Sequence, residues 1–113
     1  ELDEHEPLNC LVHGDLWSGN VGVNQINKGV IFDPACWWAD CEVDIAMTKL
    51  FGGFSQNFYE YYERTWELPK GHQERIEIYN LYHILNHANL FGGGYKNRAI
   101  TSIKKINSLL EKY

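Results

Sequence analysis

The sequence predicts a mainly α domain with a small β-hairpin. Three observations predict it. From Glu42 onward, apolar residues recur at helical spacing in four segments, separated by breaks that contain glycine or proline. Nearer the start, two short β-type runs, Val21-Gly22-Val23 and Val30-Ile31-Phe32, flank a turn-forming stretch. The composition, 44% hydrophobic and 14% aromatic over 113 residues, suits one domain with a modest packed core rather than disorder.

In chain order, residues 1–8 are acidic, include Pro7, and read as an irregular lead-in. Asn9-Cys10-Leu11-Val12 reads as a short strand. The two runs at 21–23 and 30–32 are joined by residues 24–29, where Asn27-Lys28-Gly29 supplies turn chemistry, so a hairpin is expected. Residues 36–41, Cys-Trp-Trp-Ala-Asp-Cys, read as a connecting segment. Glu42 to Phe51 reads as a helix stopped by Gly52-Gly53. Ser55 is an N-cap for an aromatic helix ending near Trp66, with Phe58, Tyr62 and Trp66 as its core stripe. Residues 68–71 form a linker. His72 to Phe91 is the longest periodic segment; Leu81, Leu85 and Ala88 share a face, with Ile84 and Phe91 beside it, as in a central helix. Tyr95 to Tyr113 reads as a last amphipathic helix. Its stripe is Ala99, Ile103, Ile106, Leu110 and Tyr113, with Lys104, Lys105 and Lys112 on a solvated face.

The formal net charge of -5 argues against a nucleic-acid or anionic-membrane surface. No apolar run approaches the roughly 20 residues of a membrane span. The acidic start is not a signal peptide, and no N-x-S/T sequon occurs, so a cytoplasmic location is expected. Cys10, Cys36 and Cys41 are odd in number and lack metal-site spacing. They read as reduced thiols, with Cys36 and Cys41 as candidate neighbours.

The chemistry concentrates at Val12-His13-Gly14-Asp15-Leu16-Trp17-Ser18-Gly19-Asn20 and at Ile31-Phe32-Asp33-Pro34-Ala35. An Asp, an Asn five residues later, a hairpin and a second Asp form the layout that protein kinases carry as H-R-D-x-x-x-x-N followed by D-F-G. Phosphoryl transfer is mostly positioning and charge stabilisation. Asp15 suits a base facing the acceptor hydroxyl. Asn20 and Asp33 suit Mg2+, which prefers hard oxygen ligands. The hairpin would return Asp33 to the end that carries Asn20. His13 suits a brace that hydrogen-bonds backbone near Asp33. Trp17 is either packing or a wall for an apolar part of the acceptor. Asp44 either offsets the dipole of its helix or bonds the loop backbone. His83 and His87 are spaced i, i+4, but no third metal ligand stands near them.

The run Leu11–Val21 together with Phe32-Asp33-Pro34-Ala35 resembles the fructosamine kinase (ketosamine-3-kinase) family. So do Glu42–Phe54 and Leu81–Tyr95, and the resemblance covers nearly the whole chain. It implies an aminoglycoside-phosphotransferase-like version of the kinase fold. It also implies ATP and Mg2+ as cofactors, and ATP-dependent phosphorylation of a sugar hydroxyl on ketosamines, which serves deglycation repair. The substrate would be a small-molecule or protein-bound ketosamine. By the resemblance Asp15 is the catalytic base, Asn20 and Asp33 hold metal, and His13 and Asp44 support the loop. Trp17, Trp37, Trp38, Asn86 and His87 are candidate substrate contacts. The Trp pair departs from the family, where a smaller aromatic, typically Tyr, is expected.

Nothing in residues 1–12 supplies a glycine-rich loop, a strand Lys or a helix Glu, and the glycines at 92–94 follow a helix. The expectation is a C-terminal lobe of a kinase-like domain over residues 1–113, without the nucleotide-covering lobe. Such a chain alone would be inactive. It would bare an apolar face near Trp37 and Trp38, and self-associate. The alternatives are a choline- or aminoglycoside-type kinase of the same fold, or an inactive lobe acting as an interaction module.

Overall fold

The computed structural model describes residues 4–112. The lead-in over residues 1–3 and the place of Tyr113 in the last stripe lie outside the described residues. The chain forms two compact units, residues 6–70 and residues 71–112 joined by residues 4 and 5.

Among the described residues, the first unit holds all the strands. β1 (Asn9–Val12) pairs antiparallel with β4 (Trp37–Asp40), in the register Asn9 opposite Asp40 through Val12 opposite Trp37. β2 (Val21–Val23) pairs antiparallel with β3 (Gly29–Ile31), Val21 opposite Ile31. The expected hairpin therefore forms, one residue earlier on its second strand. Its turn is organised by Asn24, whose Oδ1 accepts from the Ile26 and Lys28 N–H groups. Asn27 takes the left-handed conformation at φ 64° that Asn tolerates better than most residues. The pairing of β1 with β4 was not expected. Residues 36–41 are not a loose connection: four of them are a strand.

α1 (Glu42–Leu50) begins straight after β4 and stops at two glycines with positive φ. It supplies most of this unit's core through Val43, Ile45, Ala46, Met47 and Leu50, together with Val12 of β1. α2 (Gln56–Thr65) starts at Ser55, whose hydroxyl oxygen accepts from the Phe58 N–H. The expected core stripe on α2 is a correction. None of its residues is fully buried, Phe58 and Tyr62 are half-buried, and Trp66 is exposed as the residue that ends the helix. The Tyr59 hydroxyl reaches Thr48 of α1 at 3.0 Å, so a polar contact next to the stripe carries part of the docking.

The second unit is a helical hairpin of α3 (His72–Phe91) and α4 (Gly94–Leu110) packed on each other. Gly92 and Gly93, both at positive φ, make the reversal that any Cβ-bearing residue would resist. The boundaries match the sequence closely; the buried faces do not. On α3 the buried line is Ile76, Asn80 and Ile84 together with Arg75, while Leu85 and Phe91 are exposed. On α4 it is Ala99, Ser102 and Ile106, while Ile103 and Leu110 are exposed. Each face is rotated by about one residue from the apolar stripe, because buried polar side chains (Asn80, Ser102) take positions that a count of apolar residues assigns elsewhere. Of the lysines expected on the solvated face, Lys105 pairs across to Glu77 at the exposed surface. Such a pair adds little stability.

The rotation is testable. Replacing Ile84 (5% exposed) with Ala should lower unfolding free energy by about 2–4 kcal/mol, whereas Leu85→Ala (41% exposed) should cost under about 1 kcal/mol. Urea denaturation of the two variants distinguishes the faces. Equal losses would put the buried line where the apolar count places it.

Candidate functional site

The loop between β1 and β2 is held from three directions. From below, Asp44 in the first turn of α1 accepts two backbone hydrogen bonds, His13 N–H to Oδ2 at 2.8 Å and Gly14 N–H to Oδ1 at 3.0 Å. A carboxylate accepting two peptide N–H groups fixes both peptide planes, and each bond to a charged acceptor is worth about 1.5–3 kcal/mol. The same carboxylate lies at a helix N-terminus, where the dipole also favours it.

From the side, the buried His13 imidazole bridges two segments. Nδ1 accepts from the Asp15 N–H at 3.2 Å, which requires the proton on Nε2, and Nε2 donates to the Phe32 carbonyl at 2.8 Å. One ring thus sets both the backbone of Asp15 and the end of β3. Two further backbone bonds close the frame. The Phe32 N–H donates to the Asn20 carbonyl at 3.0 Å, and the Ala35 N–H donates to the His13 carbonyl at 2.8 Å.

Asp33 sits between these anchors. It adopts φ 53°, a left-handed conformation costing about 1–2 kcal/mol for a residue with a Cβ. The bonds at Phe32 and Ala35 on either side hold it there. Its carboxylate is exposed, with no hydrogen bond to any described residue. Gly14, at φ 85°, is required by the same approach of chains. A Cβ on it would lie 2.0 Å from the Ala35 carbonyl oxygen.

From within the loop, the buried Asn20 closes a 3-10 turn (Ser18–Asn20) and turns its amide onto Asp15. Nδ2 donates to the Asp15 carbonyl at 2.9 Å and to the Asp15 carboxylate Oδ2 at 3.0 Å. Both acceptors are oxygens, so the amide nitrogen faces Asp15 and Oδ1 faces away from it. Asp15 keeps its other carboxylate oxygen, Oδ1, outside this pair.

Asp15, Asn20, His13 and Asp44 are therefore joined by direct hydrogen bonds, and Asp33 by the backbone on both sides of it. Trp17 folds back over Gly19 and meets Phe51 edge-on, with ring centroids 5.9 Å apart. The turn after α1 reaches the loop a second time at Gly53, against Ser18. Neither Phe51 nor Gly53 was singled out from sequence; the only signal was the glycine pair, read as a helix stop. Trp37 and Trp38 lie on β4. Asn86 and His87 lie on α3 in the second unit, where Asn86 is exposed and His87 Nδ1 is 2.7 Å from the His83 carbonyl oxygen.

The three cysteines are free, and their neighbours differ from the expectation. Cys36 is exposed at one end of β4, and Cys41 follows its other end. The neighbour of Cys41 is Cys10 on β1. Burial, then the negative charges of Asp40 and Cys10, push the Cys41 thiol up to about 12 from its ordinary 9.0. A raised folded pKa means that the folded protein holds this proton where the unfolded chain releases it. Stability therefore falls as pH rises above 9, the unfolded value, and continues to fall toward 12. Alkylation follows the thiolate. At pH 8 Cys36 should be modified by iodoacetamide at least about tenfold faster than Cys41, as read by peptide mass spectrometry. Equal rates would count against the buried environment of Cys41.

The loop frame gives a second prediction. Asp44→Ala leaves the His13 and Gly14 N–H groups without their acceptor and should cost about 2–4 kcal/mol. Asp44→Asn, which keeps one acceptor oxygen, should cost about half as much. Chemical denaturation measures both; a loss under about 0.5 kcal/mol for the alanine variant would show the loop is held by other means.

The chain is similar to known proteins over nearly its whole length. The family model described as fructosamine kinase matches residues 1–110. A protein of Vibrio parahaemolyticus named as a probable ketoamine kinase is 55% identical over 107 residues, 95% of this chain and 37% of that protein. A chloroplastic protein-ribulosamine 3-kinase of Arabidopsis thaliana is 45% identical over 94 residues, 83% of this chain and 28% of the plant protein. A crystal structure from Thermobifida fusca, assigned as a fructosamine-3-kinase, superposes with a TM-score of 0.82 at 29% identity, over 95% of this chain and 37% of that one. The chain thus spans a little over a third of the length of the curated relatives it matches most fully.

Proposed function

The chain belongs to the fructosamine kinase family, and from that premise we propose that its residues form the acceptor and metal side of a kinase that transfers phosphate from ATP to a sugar hydroxyl of a ketosamine. The activity belongs to the full-length protein, with residues 1–113 as the C-terminal lobe of its kinase-like fold. Freeing amines from sugar adducts, in the cytoplasm, is the role this reaction would serve. The observation that carries the reading is the pair of hydrogen bonds from Asn20 Nδ2 to Asp15. It supports a division of labour between the two residues.

Asp15 would orient the acceptor hydroxyl and take its proton. The Asn20 amide holds Oδ2, and His13 holds the backbone N–H, so Oδ1 is the oxygen left to meet the hydroxyl. With its position set before substrate arrives, the carboxylate need not reorganise during the reaction. The chain also offers donors that fit Mg2+. The Asn20 amide oxygen faces away from Asp15, and the exposed Asp33 carboxylate projects from a backbone pinned to Asn20 through Phe32. Both are hard oxygens, one neutral and one charged, as Mg2+ prefers. Bound there, Mg2+ would neutralise charge on the nucleotide phosphates. His13 and Asp44 touch neither substrate nor metal in this scheme; they hold the peptide groups on which the other three depend.

The family shared with ketoamine kinases favours a ketosamine over choline or an aminoglycoside as acceptor. The exposed apolar pair Leu11 and Trp38 supports self-association of the 113 residues when isolated.

The test is turnover of a ketosamine such as fructosyllysine by the full-length protein, followed as ADP release. Asp15→Asn should lower kcat by about 10²–10⁴-fold, the contribution of a positioned base, with the fold intact by circular dichroism. Asp33→Asn should also abolish transfer. It removes charge from the metal donors without changing volume. Turnover of either variant within about tenfold of the parent would overturn its assignment.

A further inference from the structure

The two adjacent tryptophans of β4 are not equivalent, and we propose that Trp37, not Trp38, is the specificity wall of the acceptor site, against which the sugar of a ketosamine stacks. This rests on the phosphotransfer reading above and adds to it the residue that holds the sugar.

Successive residues of a strand point to opposite faces. The register puts Trp37 opposite Val12 and Trp38 opposite Leu11. Val12 is buried, and two residues later the chain reaches Gly14, which precedes Asp15. The Trp37 indole follows that same side. Its Cδ1 lies 3.2 Å from where a Cβ on Gly14 would stand. Trp37 is thus in contact with the loop one residue before the proposed base, yet 52% of it remains open. Trp38 lies on the other face beside Leu11; the two are 65% and 59% exposed and are turned away from Gly14.

Trp17, the other indole near Asp15, is committed elsewhere. It covers Gly19 and meets Phe51 edge-on, so its ring already has protein neighbours. Trp37 combines proximity to the loop with the more open surface, 52% against 38% for Trp17. A sugar presents an apolar C–H side with hydroxyls at its edge. An indole offers a broad apolar face that can cover the first and leave the second to polar partners. A sugar seated on Trp37 would have its hydroxyls at the rim of the ring, beside the loop in which Asp15 follows Gly14.

The experiment compares Trp37→Leu, Trp37→Phe and Trp38→Leu in the full-length protein, with steady-state kinetics on fructosyllysine and on ATP. Trp37→Leu should raise KM for fructosyllysine about tenfold or more while KM for ATP stays within about twofold. Trp37→Phe, which keeps an aromatic face, should recover most of that loss, and Trp38→Leu should leave both constants within about twofold. Labelling with 5-fluorotryptophan gives a readout independent of the leucine variants. Fructosyllysine should shift the fluorine resonance that the Trp37→Phe protein lacks, and leave that of Trp38 in place. An unchanged KM in Trp37→Leu, an equal loss in Trp38→Leu, a parallel loss of ATP affinity, or a fluorine shift at Trp38 instead would each overturn the proposal while leaving the kinase reading standing. Absence of ketosamine turnover by the unsubstituted enzyme would overturn both.

Discussion

The site depends most on one neutral imidazole. His13 accepts a hydrogen bond from the Asp15 N–H at Nδ1 and donates one from Nε2 to the Phe32 carbonyl. It can do both only as the tautomer with hydrogen on Nε2, and only while uncharged, because a protonated ring has no acceptor. The two peptides it joins are 17 residues apart in sequence, one at the proposed base and one beside the proposed metal ligand. Lys or Asn cannot replace it in kind, since neither spans that gap with one ring-held acceptor and one ring-held donor. Burial of the ring keeps water from competing for either bond.

Around this bridge, two costs are accepted for the sake of position. Asp33 is held left-handed, and Gly14 gives up a side chain so that the Ala35 carbonyl can approach. Neither is stable by local preference. Strain of this kind persists only where neighbours over-determine it. Here the neighbours are backbone bonds from Phe32 to Asn20 and from Ala35 to His13, together with the Asp44 carboxylate beneath. A frame of hydrogen bonds, more than apolar packing, sets this loop; the apolar core lies one layer down, in Val12 and α1.

What the sequence revealed follows from the range of each interaction. The hairpin, the N-cap at Ser55 and the ends of α1, α3 and α4 are local, written in turn residues and glycines within a few positions. Asp15, Asn20 and Asp33 stood out by their spacing, His13 as a brace and Asp44 through the kinase-like resemblance. The bonds from Asn20 to Asp15 were not foreseen, because the sequence pattern assigned the Asn20 side chain to metal. The pairing of β1 with β4 was not legible. Trp37-Trp38-Ala39-Asp40 shows no apolar alternation, and its partner lies almost thirty residues upstream. The buried faces of α3 and α4 were misjudged for a different reason. A helix face is chosen by what packs against it, and at Asn80 and Ser102 polar side chains were chosen over nearby Leu85 and Ile103. Periodicity locates a helix more securely than it locates the side that is buried.

The unexpected strand gives the short segment after Asp33 a fixed place beside the loop that carries Asp15. Here there is no room for a long mobile segment between Asp33 and α1. The chain instead turns at Pro34-Ala35, is caught by the His13 carbonyl, and runs straight back along β1. Pairing with β1 gives each of its side chains a fixed face. It is this register, and not the presence of two tryptophans, that puts one indole on the Gly14 side and the other on the far side. A slip of one residue would exchange them. The Ala35 to His13 bond and the bond from the Cys41 N–H to the Leu8 carbonyl pin the two ends of the ladder against that slip. The strand is thus a rigid substitute for a loop, with its contact to the site decided by backbone hydrogen bonding that no single side chain in it reveals.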